Sequence, residues 1–179
     1  MNTLITIGVV IVSLIALVLL IALFVKQRYS LYREITINRS KEQVFQFIKY
    51  LKNQDHYAVW NQMDPAMKRA FTGTDGTVGF KSAWDSQNKK VGKGEQEIKK
   101  ITENERLDTA LHFIKPFEGL ADSWMTTTGT GNGTTVQWGL SSKMKYPMNI
   151  MLLFMNMDKL LGSDLEKGLA NLKTVLEKT

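Results

Sequence analysis

His56, His112, Asp55, Asp64 and Asp122 are the side chains of this 179-residue chain best suited to moving protons. A histidine beside a carboxylate, or a carboxylate buried next to a bound molecule, can act as general acid or base. The surrounding sequence argues against that use. His112 alternates with Leu111 and Phe113 and so reads as an outward-facing strand position. The three aspartates read as solvated or capping groups. No histidines and carboxylates recur at a metal-ligand spacing, so no metal site is expected. The chain has no cysteine, which removes thiolate ligands, thiol nucleophiles and disulfides together. No Gly-x-Ser-x-Gly elbow supports a serine nucleophile. Gly129 to Gly133 (GTGNG) is a hairpin turn with no helix behind it to make a phosphate loop. No residue is assigned a catalytic role, no cofactor is implied, and an activity is neither required nor excluded.

Apolar side chains offer the other chemistry, uptake of an apolar ligand. Phe71, Phe80, Trp84, Phe113 and Trp138 fall on inward-pointing strand phases, and Tyr57 and Trp60 lie on a short aromatic-rich helical turn. Met148, Met151 and Met155 follow one another at i, i+3 and i+7 with Leu152 in register, which on a helix is one face. Thioethers are flexible and polarizable and suit irregular or adaptable apolar surfaces. These residues are the cavity-lining candidates. Their plain alternative is core packing, and for the methionines also a lid or contact with a bilayer.

The elements that must position them begin with an anchor. Leu4 to Val25 (LITIGVVIVSLIALVLLIALFV) contains no charge, Pro, Asn or Gln. As a helix it is roughly 33 Å long, enough to cross a hydrocarbon core of about 30 Å. A cleaved signal peptide would have a positive charge before a shorter run, whereas Met1, Asn2 and Thr3 precede this one. Lys26, Arg28 and Arg33 follow the run and no Lys or Arg precedes it. The expectation is a single-pass membrane protein with its soluble part on the cytoplasmic side. The formal net charge of +6 lies entirely outside the run and fits attraction to anionic headgroups. The lysines are scattered through strands and turns without an aromatic-basic motif, so nucleic acid is not an expected partner. Asn38-Arg39-Ser40 and Asn132-Gly133-Thr134 would then be sequons without a function.

Residues 1–30 are accordingly read as anchor and short linker, and 31–179 as one domain. Tyr32–Ile37 alternates like a strand. Ser40-Lys41-Glu42-Gln43 is a capping box, with Val44, Phe47, Ile48 and Leu51 as the apolar stripe of a helix ending near Asn53. Asp55 to Met63 is the helical turn, and Met67 to Thr72 a strand. Val78, Phe80 and Trp84 share one face of the next strand. Gly92–Ile101, Arg106–Ile114, Leu120–Thr130 and Thr134–Ser142 follow, separated by turn residues. From Pro147 the chain is read as one helical stretch, Met-rich at first and then carrying Leu161, Leu165, Leu169, Leu172 and Val175/Leu176 on one stripe. The layout is α+β, a curved antiparallel sheet wrapped around the last helix. Nothing in the pattern fixes the oligomeric state.

In this order the chain resembles the START-like helix-grip superfamily, also called SRPBCC or polyketide cyclase/dehydrase-like. The resemblance spans about Tyr32 to Lys178. Its carriers are Ser40-Lys41-Glu42-Gln43-Val44-Phe45, Trp84-Asp85-Ser86 with Val91-Gly92-Lys93-Gly94, Lys115-Pro116-Phe117-Glu118-Gly119, Gly133-Thr134-Thr135-Val136-Gln137-Trp138, and Glu166-Lys167-Gly168-Leu169-Ala170-Asn171-Leu172-Lys173. What it implies is a cavity between sheet and C-terminal helix that takes a hydrophobic small molecule or lipid, with Tyr57 and Trp60 near its mouth. A cyclase-like enzyme on an apolar substrate and an interaction module with a self-filled interior are the alternatives. The N-terminal anchor departs from the soluble members.

Overall fold

The computed structural model describes residues 3–178. Helix α1 (Thr3–Phe24) leads into strand β1 (Arg28–Ile37), helix α2 (Lys41–Ile48), a 3-10 helix (Leu51–His56) and the short α3 (Val59–Gln62). Strands β2 (Lys68–Thr72), β3 (Lys81–Asp85), β4 (Lys93–Thr102), β5 (Arg106–Lys115), β6 (Gly119–Thr130) and β7 (Gly133–Lys143) follow. A second 3-10 helix (Met148–Leu153) and α4 (Met157–Lys178) close the chain. All neighbouring strands are antiparallel, in the order β1-β7-β6-β5-β4-β3-β2, so the first strand closes on the last and the rest descend as hairpins. This is the α+β helix-grip layout expected.

Local chemistry explains the elements. Ser40 Oγ accepts the Gln43 N–H and Gln43 Oε1 accepts the Ser40 N–H, which satisfies two N-terminal donors of α2. Helix α2 is shorter than its apolar stripe suggests. Beyond Ile48 the chain tightens into the 3-10 helix because Asp75 accepts the N–H groups of Leu51 and Lys52 at 2.9 and 3.1 Å. Alternation along β7 buries Val136, Trp138 and Leu140. Val136 and Trp138 meet Leu165, Leu169 and Leu172 of α4, and Val44, Phe45 and Ile48 of α2 complete the core. At Gly168 a side chain would run into the Trp138 ring, so the absence of one lets α4 lie close to the sheet.

Two expectations fail. Val78, Phe80 and Trp84 are not on one strand face, because β3 begins only at Lys81. Gly79 sits at φ +88°, a conformation that favours glycine, and its N–H reaches Ile98 O at 2.8 Å. Phe80 is thereby turned into a separate small core with Leu51, Ile98 and Leu107. The Met-rich stretch is also not continuous with the last helix. Asn156 Oδ1 accepts the Lys159 N–H at 3.0 Å and starts α4 afresh.

Strand β1 starts at Arg28, earlier than the expected Tyr32, so only Val25 to Gln27 separate it from α1. The Met144 N–H donates to Gln27 O at 2.8 Å and extends the β1–β7 ladder to the end of α1. Helix α1 has 22 residues, a mean hydropathy of 3.3 over an 18-residue stretch of it, and an exposed apolar surface on which only Ala22 is buried. Asn149 lies over it. Its Nδ2 donates to Ala22 O at 2.7 Å and Val25 O at 2.9 Å, and Tyr146 OH reaches Leu19 O at 3.4 Å.

Candidate functional site

Between the concave face of the sheet and α4 lies a cavity of about 400 Å³. Each strand contributes by its inward phase: Trp84 from β3, Gln96 from β4, Leu111 and Phe113 from β5, Ser123 from β6, Trp138 and Leu140 from β7. Leu161 and Leu165 of α4 and Trp60 of α3 face them. The volume lies within the range typical of small-molecule sites, and the walls are mostly apolar with a few polar groups.

Several of those polar groups are engaged with one another or with the backbone. Gln96 Nε2 donates to Thr109 Oγ1 at 3.0 Å. Trp138 Nε1 donates to Ser123 Oγ at 3.2 Å, and Ser123 Oγ donates to Gly139 O at 2.9 Å. Trp84 Nε1 donates to Val91 O at 3.2 Å. Arg69 is paired with Asp55 at 2.6 Å. Among the described residues no Asp, Glu or His lines the cavity. Asp55, Asp122 and His56 are exposed, Asp64 accepts from Ser86 Oγ and the Ala66 N–H, and His112 points outward toward Glu118 at 3.5 Å. Tyr29 is the wall residue with a displaced proton affinity. Burial raises its phenol above the usual value, against a smaller lowering by the Ser142 hydroxyl. No group of three or more His, Cys, Asp or Glu among the described residues is arranged to hold a metal.

Of the residues singled out in the sequence, Trp60, Trp84, Phe113 and Trp138 stand on the cavity wall. The others lie elsewhere. Tyr57 is fully buried behind Trp138, edge-on at 5.6 Å, with its hydroxyl on Met125 Sδ. Burial pushes its phenol well above the ordinary value, outside the site. Phe80 fills the second core, and Phe71 stacks on it at 6.1 Å from the exposed side. Met148 and Met151 are exposed on the 3-10 helix against α1. Met155 borders a separate groove beside α1. They miss the cavity because the methionine segment packs on α1 in 3-10 form, where the i, i+3, i+7 face of an α-helix does not exist. Sequence reasoning passed over Leu111 and Leu140, although each sits two residues from a chosen aromatic and shares its phase. It also passed over Gln96 and Ser123, whose polarity masks an inward position.

The cavity opens at one end of the sheet. Register puts Arg28 opposite Lys143, Ala121 opposite Ser142, Phe113 opposite Gly119, Lys93 opposite Lys115, and Asp85 opposite Lys93, all at the end where α1 joins. The rim there carries Lys90, Lys115, Pro116 and Phe117 of the mouth, with Phe117 79% exposed. Gly92, at φ +65°, closes the 86–92 loop against the Lys115 carbonyl, where any side chain would collide. Of the acidic residues near this rim, Asp85 is paired with Lys93 at 2.8 Å and Asp158 with Arg33 at 2.9 Å, while Glu118 faces His112 at 3.5 Å. The lining of the mouth itself carries the cations Lys90 and Lys115 and no carboxylate among the described residues, and it is edged with exposed apolar groups.

A family model described as polyketide cyclase / dehydrase and lipid transport matches residues 28–177. Among solved structures, a protein of unknown function from Staphylococcus aureus is similar with a TM-score of 0.63 and 12% identity, covering 85% of this chain and 95% of that one. An uncharacterised protein from Rhizobium leguminosarum gives 0.59 and 14%, covering 86% and 97%. The Aha1 protein of Colwellia psychrerythraea, solved as a dimer, gives 0.58 and 15%, covering 83% and 96%. At such identities these likenesses concern the fold. No match is found among curated proteins.

Proposed function

Since the chain belongs to the polyketide cyclase / dehydrase and lipid transport family, we propose that it binds a hydrophobic small molecule or lipid between its sheet and α4 without transforming it. The observation that carries this reading is the cavity itself: mostly aromatic and aliphatic walls, with no carboxylate or histidine among the described residues that line it. Apolar ligand surface leaving water would supply about 25 cal/mol per Å² before association costs. The basic mouth suits a ligand with an acidic head. A cyclase-like reaction would need a proton donor or acceptor at the reacting carbon, and among the described wall residues the titratable groups are Tyr29, Arg69 (paired with Asp55) and the rim lysines.

We read α1 as a membrane anchor, with Leu4–Val25 in the bilayer, residues 31–179 as the ligand-binding domain, and that domain on the cytoplasmic side. Length, hydropathy and the exposed apolar surface of α1 support the span, and Lys26, Arg28 and Arg33 support the orientation. The test of binding is stabilisation. Adding a long-chain fatty acid at about 100 times its Kd to delipidated full-length protein in detergent should stabilise the fold by about 2.7 kcal/mol. The variant Leu140→Phe, which fills the cavity, should lose that response. An unchanged unfolding midpoint for the wild type would refute the reading.

A further inference from the structure

We propose that the cavity is loaded sideways from the leaflet that holds the end of α1, by the acyl chain of a membrane phospholipid entering along the groove between α1 and the start of α4. This rests on the reading of α1 as a span and of the cavity as an apolar binding site.

A second hollow of about 840 Å³ lies beside α1, lined by Ile21 and Phe24 on one side and Leu152, Phe154 and Met155 on the other. It shares Tyr29 and Met157 with the interior cavity, so these two partly buried side chains are the wall between the hollows. Met157 is a flexible thioether at the first residue of α4, able to move aside without unwinding a helix.

The groove is also at the right depth. Tyr146 and Asn149 bond to carbonyls from Leu19 to Val25. That distance is about 9 Å along the helix axis, close to the depth to which interfacial elements sink. Met148, Leu153 and Phe154 continue the apolar surface of α1, with Phe154 84% exposed. In water such a patch would be a liability, whereas in a leaflet it is solvated. Lys26 and Arg28 stand at the groove's polar lip, where a lipid phosphate would sit. Asp158, the acidic residue in the groove, is held by both Nη atoms of Arg33 at 2.9 Å, which leaves the lip basic.

The tryptophans give a direct readout. Trp60, Trp84 and Trp138 line the cavity, while Trp124 lies outside it under Arg106. Full-length protein is reconstituted in phospholipid vesicles, and acyl-brominated phosphatidylcholine is delivered to the leaflet while tryptophan emission is followed. The same bromination as a free fatty acid is added to protein in detergent, where the mouth is open to the probe. The expected result is quenching of the wild type by both probes. Phe154→Asp and Leu153→Asp, at exposed groove residues outside the cavity wall, should each slow the vesicle-borne quenching about tenfold and leave the detergent quenching intact. Both side chains are exposed and line the outer groove, so their replacement tests the route without altering the interior wall. Equal rates in wild type and Phe154→Asp overturn the groove route, whether the chain enters elsewhere or a second copy of the protein covers the groove. Failure of the free fatty acid to quench the wild type instead removes the binding reading, and the route with it.

Discussion

Asn149 is buried with both donated hydrogen bonds directed at carbonyls at the end of α1, that of Ala22 in its last turn and that of Val25 just beyond it, where helical partners run out. In Asn149→Ala those carbonyls lose their donors, at a cost of about 1–3 kcal/mol. Amides of Met148–Leu153 should then exchange roughly 5- to 150-fold faster by hydrogen–deuterium exchange, while the sheet core is unchanged. Asp158 gives a pH dependence. The hydrogen bond from Arg33, assisted by its charge and partly offset by desolvation, holds the carboxyl below its ordinary value. A depressed folded-state pKa means stability present above the ordinary carboxylate value of about 3.9 and lost as pH falls through the folded one. Thermal midpoints should fall more steeply below about pH 4 for the wild type than for Asp158→Asn. Neither residue stood out in the sequence. The partners of Asn149 lie across more than a hundred positions, and no local periodicity announces a side chain that caps a distant helix.

At the scale of elements, the hairpins β4 to β7 were legible to within two residues, because alternation and turn residues act locally. The stripe of α4 was legible for the same reason, and Leu165, Leu169, Leu172 and Leu176 are indeed its buried face. Replacing Leu169 by Ala should cost about 2–5 kcal/mol in global stability, measured by denaturation of the full chain in detergent. The equivalent change at exposed Leu160 should leave it nearly unchanged. Legibility ended where tertiary contacts override the local pattern. Asp75 shortens α2, Gly79 redirects Phe80, and α1 captures the methionine segment in 3-10 form. The cavity wall followed suit: Trp84, Phe113 and Trp138 were readable from strand phase, whereas Met157 was hidden at a helix start that only Asn156 marks.

On the scale of the whole molecule, the registers gather the mouth, the basic rim and the end of α1 at one end of the sheet. A domain joined to its helix by Val25–Gln27 and clamped by Asn149 has little freedom to turn that mouth away. Because the chain has no cysteine, a single Asn104→Cys variant gives a unique reporter at the opposite end of the sheet. In intact cells it should resist an impermeant maleimide and react after lysis; labelling before lysis would place the domain on the other side. The central claim is that the interior holds an apolar molecule. Its most direct measurement is native mass spectrometry of the full chain, extracted gently from the cells in which it was made, beside Leu111→Arg. One apolar molecule bound per wild-type chain and none on the variant is the predicted result. A wild-type chain that flies empty, and stays empty after incubation with membrane lipid extract, would contradict it.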